Sequence, residues 1–396
     1  MKRIKLWLLV AASALALSAC GSQDDTPKPL TPETISMEQN DSKTPEQEES
    51  KEETAASNES VDAPASSNED DTNPPAEGML RSRLTNEWVN ADVANTRPIA
   101  VMTPNESSAV PHYNLSNASV IYEANVEGRM TRMLALYENW EGLDKIGNIR
   151  SLRAYFGYWA LEWDAFIVHF GGPYFVDEVL DKPNVEDIDG NLGSDSAAFF
   201  RTTDRKAPHN AYGSGEGLKK VIEQKGMSLT YRNLADENHF NFTAKANPNT
   251  LDQYSGAITA NKIDMSSYYP MTRCRFEYNP EDGLYYRYQH LSGASDGPHM
   301  DAATGEQLTF KNILVQNVKH EELGKGYLAF QVHDTTKDGW YFTNGKGIHV
   351  TWKKTSDWGA TRYYDDNGNE ITLNTGKTMI LIVEDADNFS TANSVQ

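Results

Sequence analysis

The chain has 396 residues, 38% hydrophobic and 10% aromatic, with a formal net charge of −21. That length admits one large domain or two ordinary ones, and an acidic balance with no basic aromatic platform excludes a nucleic-acid binder. Cys20 and Cys274 are the whole complement of cysteines. If Cys20 carries lipid, Cys274 has no partner for an intramolecular disulfide, and stability must come from core burial.

Residues 1–19 read as a lipoprotein signal peptide. Lys2, Arg3 and Lys5 precede the apolar run LWLLVAASALALSA, which is too short for a comfortable membrane span. Leu17-Ser18-Ala19-Cys20-Gly21 resembles a bacterial lipobox, in which cleavage falls before the cysteine and Cys20 carries the lipid. Two or three acyl chains would hold the protein at the outer face of the cell membrane, as a single chain would not. An ordinary signal peptide that happens to contain Cys is the alternative.

Residues 20–78 are expected to form a disordered acidic tether. Residues 21–78 hold 16 acids and 3 lysines, a net −13 of the whole-chain −21, and almost no large apolar side chains. Such a chain has a typical reach of ~40 Å and would lift a folded unit away from lipid. An acidic interaction tail is the other reading.

The folded part is expected to be α+β, with a mixed α/β domain over 90–245 and a β-rich domain over 270–388. Arg97 to Met102 reads as a strand, followed by two more over Ala118–Val126 and Met130–Glu138, apolar at alternate places. Leu152–Trp163 is long enough for a helix, with Ser151 as its N-cap. Asp164–Phe170 reads as a buried strand and Gly215–Lys225 as a helix with Leu218, Val221 and Ile222 on its core face. From Arg273 onward strand composition dominates, with turn pairs at Asp282-Gly283, Asn344-Gly345 and Asn367-Gly368. That half is expected to be a sandwich or barrel-like unit.

The charged residues between Ile121 and Gly172 point to a polar pocket, since ionised groups are costly to bury unless paired or used. Glu123, Glu127, Asp164 and His169 form the candidate acid–base set for a hydrolase or lyase acting on cell-wall glycan. Glu123 and Glu127 sit about 13 Å apart along a strand, so a carboxylate from elsewhere, such as Asp164, would have to complete a pair. Arg132, Arg150, Arg153 and Arg205, with His209, are the candidate ligand-binding set, because planar guanidinium forks hold carboxylate or phosphate. The alternative for Glu123, Glu127, Arg132 and Arg150 is a buried ion network. No cofactor is expected. His112, His209, His290, His299 and Asp301 have no spacing that resembles a zinc motif, so no metal site is expected either.

RPIAVM, Val120-Ile121-Tyr122-Glu123, Val126-Glu127-Gly128 and Ile146-Gly147-Asn148-Ile149-Arg150-Ser151-Leu152-Arg153 together resemble the YerB family of Firmicute lipoproteins. His169-Phe170-Gly171-Gly172, Ala207-Pro208-His209-Asn210, Tyr285 to Arg287, His299-Met300-Asp301 and Thr351-Trp352-Lys353-Lys354 extend the resemblance. Asn148 stands where the family usually shows Pro, and Arg129 where it usually has a small residue. The resemblance implies a two-part architecture and a lipoprotein address but no reaction. The function expected is binding or processing of a cell-envelope component, a peptidoglycan glycan or muropeptide. The alternative is a non-catalytic lipoprotein that binds a ligand or docks an envelope protein.

Overall fold

A computed structural model of the chain describes residues 72–396 apart from Ser292, Ala294 and Ala386. The signal peptide, Cys20 and the tether as far as residue 71 lie outside the described residues. No helix among the described residues is long and apolar enough to cross a membrane.

One mixed sheet of eleven strands organises the fold. In chain order its strands are β1 (Ile99–Pro104), β2 (Val120–Asn125), β3 (Thr131–Tyr137), β4 (Phe166–His169), β5 (Asp187–Asp189) and β6 (Ile258–Thr259). They continue as β7 (Asn312–Val318), β8 (Asp334–Thr343), β9 (Lys346–Lys354), β10 (Arg362–Tyr364) and β11 (Thr378–Glu384). The spatial order is β6-β9-β8-β7-β11-β2-β3-β1-β4-β5, with β10 on β9. The late strand β11 lies between β7 and β2 and runs parallel to both. The two halves expected over 90–245 and 270–388 therefore contribute strands to one continuous sheet. The second half does not close on itself as a barrel, because its long strands extend the sheet begun by the first.

Every residue of β1, β2, β3 and β7 is buried, in place of the apolar/polar alternation expected of a half-exposed strand. Both faces are covered, which is why these strands read as nearly continuous hydrophobic runs. On one face Tyr122, Leu134 and Ile380 pack with Tyr155, Phe156 and Trp159 of helix α1 (Ala154–Leu161). On the other, Ile121, Met133 and Leu381 pack with Leu218, Val221 and Ile222 of helix α2 (Gly215–Gln224). That second face also receives Phe276, Tyr285 and Phe310 from a smaller antiparallel sheet built on Arg275–Asn279 and Leu284–His290. The aromatic run Tyr155–Trp163 is thus core.

Local chemistry explains the ends of these elements. Ser214 caps α2, its hydroxyl accepting from Gly217 N at 3.2 Å. Ser151 does not cap α1: the helix starts at Ala154, and the N-cap position falls on Arg153, whose side chain makes no cap bond. Asn344 (φ 50) and Gly345 (φ 70) join β8 to β9, and two left-handed central residues suit the twist of a tight hairpin.

Candidate functional site

The four candidate acid–base residues do not meet. Glu123, in the middle of β2, is fully buried and faces the smaller sheet. Arg287 Nη2 donates to Glu123 Oε2 at 2.8 Å, while Asn105 Nδ2 (2.7 Å) and Thr131 Oγ1 (2.6 Å) donate to Oε1. Asp164 belongs elsewhere: its carboxylate accepts from Arg232 N (2.7 Å) and Arg232 Nε (2.9 Å), and Arg97 stands 3.4 Å away. His169, at the end of β4, donates from Nδ1 to Gly171 O at 2.9 Å, and its Nε2 lies 3.3 Å from Asp187 Oδ2. Glu127, in the turn after β2, forms a fork-to-fork pair with Arg153, both bonds at 2.6 Å. The ion-network alternative thus describes Glu123 and Glu127, though with Arg287 and Arg153 as their partners.

The Glu123 network continues through residues that the sequence raised only in passing. Arg287 Nη1 donates to Gln289 Oε1 at 2.5 Å and to His299 Nδ1. With Nδ1 accepting, His299 must carry its proton on Nε2, which lies 2.8 Å from His112 Nδ1. His112 in turn presents its Nε2 proton to Pro104 O at 2.7 Å. The bonds assign both imidazoles as neutral Nε2–H tautomers in a closed relay. Burial pushes His112 down to about 4 and His299 well below the usual range, with the Arg287 charge acting in the same direction. Arg287 itself is held charged: burial works against it most strongly, but Glu123 and the neighbouring Cys274 together outweigh it. Cys274 is buried beside Glu123, and desolvation followed by that carboxylate pushes its thiol well above the usual value. This is an inert thiol. Glu123, Arg287, His112 and His299 are all buried, and the relay they form ties the large sheet to the smaller one. Tyr285–Arg287 and His299–Asp301 are the sequence signals that carried it, and only their spacing in the chain hid their convergence.

The candidate ligand-binding residues do converge. Arg132, the second residue of β3, lies opposite Pro104, the last residue of β1. Arg150 is fixed nearby because its N–H donates to Met102 O at 2.9 Å and its carbonyl accepts from Phe170 N at 3.0 Å. Arg153 follows directly. The rim therefore lies at the carboxyl ends of the parallel strands β1 and β4, the end of such sheets where ligands commonly sit. Arg132 is buried and falls to about 10, through desolvation and then repulsion from Arg153 and Arg150. Arg150 is lowered by burial, and by Arg153 and Arg201 against the pull of Glu106. Its Nε is buried without a hydrogen-bond partner, and no carboxylate among the described residues reaches its guanidinium within ion-pair distance. His209 borders the rim, 3.5 Å from Glu106 and 3.3 Å from Ser108, and burial lowers its pKa. Arg205 is more structural than expected: it donates to Ala109 O at 3.0 Å and to Val110 O, pinning that loop. Glu106 and Arg201 are the members of the rim that the candidate set left out.

A mixed sheet shared by two chain segments, with Glu123 and Arg287 paired inside it and Arg132, Arg150 and the Glu127-paired Arg153 gathered at one rim, defines a sheet-built domain. The chain belongs to the DUF3048 family, proteins of unknown function: residues 84–228 match its N-terminal domain and residues 263–380 its C-terminal domain. It is 28% identical over 323 residues to "Putative lipoprotein YerB" of Bacillus subtilis strain 168, covering 80% of this chain and 90% of that one. The crystal structure of the YerB protein from Bacillus subtilis matches with a TM-score of 0.65 at 26% identity, covering 78% of this chain and 98% of that one.

Proposed function

We propose that this protein is a lipid-anchored lipoprotein on the outer face of the cell membrane. It binds an anionic cell-envelope component at the Arg132–Arg150–Arg153 rim. One observation carries the reading. Three guanidiniums are brought together at the carboxyl end of the sheet, and Arg150 among them has no carboxylate at ion-pair distance. Like charges held this close are costly, and a carboxylate or phosphate on a wall polymer or muropeptide would relieve the repulsion. Binding fits better than hydrolysis, because Glu123 is sealed inside the sheet and Asp164 and His169 hold separate structural partners. The lipobox and acidic tether support the address, as does the name of the Bacillus relative.

Co-sedimentation of the protein with purified cell wall, intact or stripped of its anionic polymer, tests this reading. Expected is retention on wall that Arg150→Gln reduces about tenfold, with no soluble glycan fragments released. Fragment release by the parent protein would favour an enzyme instead. Equal retention of the parent and Arg150→Gln would remove the rim from the account.

A further inference from the structure

At the opposite end of the sheet a cavity of about 440 Å³ opens beside the starts of β7 and β11. Lys311 immediately precedes β7 and Lys377 immediately precedes β11, and these strands are parallel neighbours with Asn312 opposite Thr378. The N–H groups of Lys311 and Asn312 both donate to Lys377 O, at 3.0 and 3.1 Å, so the two lysines are fixed side by side. Gly376 makes this approach possible. Its φ is +135°, and a Cβ there would stand 2.8 Å from Lys311 Cβ.

The charges in this cavity do not balance. Lys311 Nζ donates to Gly283 O at 3.0 Å and Asn344 Oδ1 at 2.7 Å, and Lys377 Nζ donates to Ser116 O. An ammonium has three donors, so one remains on Lys311 and two on Lys377. Among the described residues neither reaches a carboxylate within ion-pair distance, and burial lowers the pKa of both. The two carboxylates on the lining are already engaged. Asp282 accepts from Tyr286 Oη at 2.6 Å and Leu284 N at 3.0 Å, and Glu87 pairs with Lys245 at 3.4 Å. The polar walls are held from behind: Asn344 Nδ2 donates to Asn249 O at 2.9 Å and Thr375 Oγ1 to Thr243 O at 2.7 Å. Asp282 acts on Lys311, and Glu306, Glu87 and Asp301 on Lys377, only from beyond ion-pair distance, so an amide- and hydroxyl-lined cavity of ligand size with two ammonium groups lacking a contact partner is organised for an anion that also has hydroxyls.

We propose that this cavity binds a small anionic sugar, whose phosphate or carboxylate is held by Lys311 and Lys377 while its hydroxyls meet the Asn344 and Thr375 wall. The site is separate from the arginine rim and independent of it.

Calorimetric titration of the full chain in detergent with glucose 1-phosphate, glucuronate, glucose and inorganic phosphate tests the assignment. One or both anionic sugars should bind, with the preferred one identifying the phosphate or carboxylate form, and glucose should not. Lys377→Gln should weaken binding about tenfold, while Lys377→Arg should retain most of it. Arg150→Gln should leave it unchanged. Glucose binding as tightly as either anion would overturn the proposal, as would parent-like affinity in a folded Lys311→Gln, Lys377→Gln double variant. Inorganic phosphate binding as tightly as the sugar phosphate would overturn the sugar assignment, and so would failure of both anionic sugars to bind.

Discussion

Arg287 and Glu123 show how a buried charge can be tolerated in this sheet. Each is fully buried; Asn105 and Thr131 donate to Glu123, and Arg287 donates to Gln289 and His299, while its Nε stays buried without a hydrogen-bond partner. Removing one partner leaves the other charge uncompensated. Arg287→Met should therefore destabilise the protein by about 3–5 kcal/mol in urea unfolding, and Glu123→Leu combined with Arg287→Met should recover part of that loss. A single variant as stable as the parent would mean that the pair is not sealed from water. The neighbouring imidazoles add a pH dependence. His112 titrates at about 4 in the fold, facing His299, Arg287, Arg205 and Asp301, against about 6.5 in the unfolded chain. Between those values the unfolded chain holds more protons, so this contribution to stability falls as pH drops from about 6.5 to about 4. It is worth on the order of 3 kcal/mol. Glu138 acts in the opposite sense, because burial raises it to about 7 and its contribution falls as pH rises. The informative measurement is thus the difference between parent and His112→Gln at pH 7 and pH 5. The gap should shrink at the lower pH, and a constant gap would place His112 outside the titrating set.

Elements whose identity is local were legible before the structure. Helix α2 falls within a residue of expectation, since the core-face spacing of Leu218, Val221 and Ile222 is written in neighbouring residues. The Asn344-Gly345 hairpin was legible for the same reason. The partners of the charged residues were not legible, because Glu123 and Arg287 are far apart in sequence and meet only through sheet packing. The same limit separated Asp164 and His169 from the supposed catalytic set. Helix α1 illustrates local preference losing to packing. Gly157 sits within it, where Ala would gain roughly 1 kcal/mol by helix propensity. A Cβ at Gly157 would, however, stand 2.8 Å from Val179 Cγ1, and that valine is fully buried and too short to swing aside. Overpacking of this kind costs about 1–3 kcal/mol. Gly157→Ala should lower the urea midpoint, and a raised midpoint would show that α1 has room to move.

At the scale of the whole molecule, the junction between β2 and β11 decides how independent the two family segments are. Residues 120–124 pair in parallel with 378–382, so the last long strand sits beside one of the first, well inside the sheet. Met379, Ile380, Leu381, Ile382 and Val383 are all fully buried, alternating between the two hydrophobic cores. At about 1.5–3 kcal/mol for each buried apolar side chain, that strand contributes on the order of 10 kcal/mol. A typical domain is stable by only about 5–15 kcal/mol in total, so little would be left without it. Its loss would also expose the long apolar edges of β2 and β7, a template for aggregation. We therefore expect the full chain to melt in one cooperative transition. A chain ending at Gly376 should lack dispersed amide resonances, and Leu381→Asp in the full chain should behave in the same way. A truncated chain with its own cooperative melt near that of the parent would show that the first segment closes its core without the second.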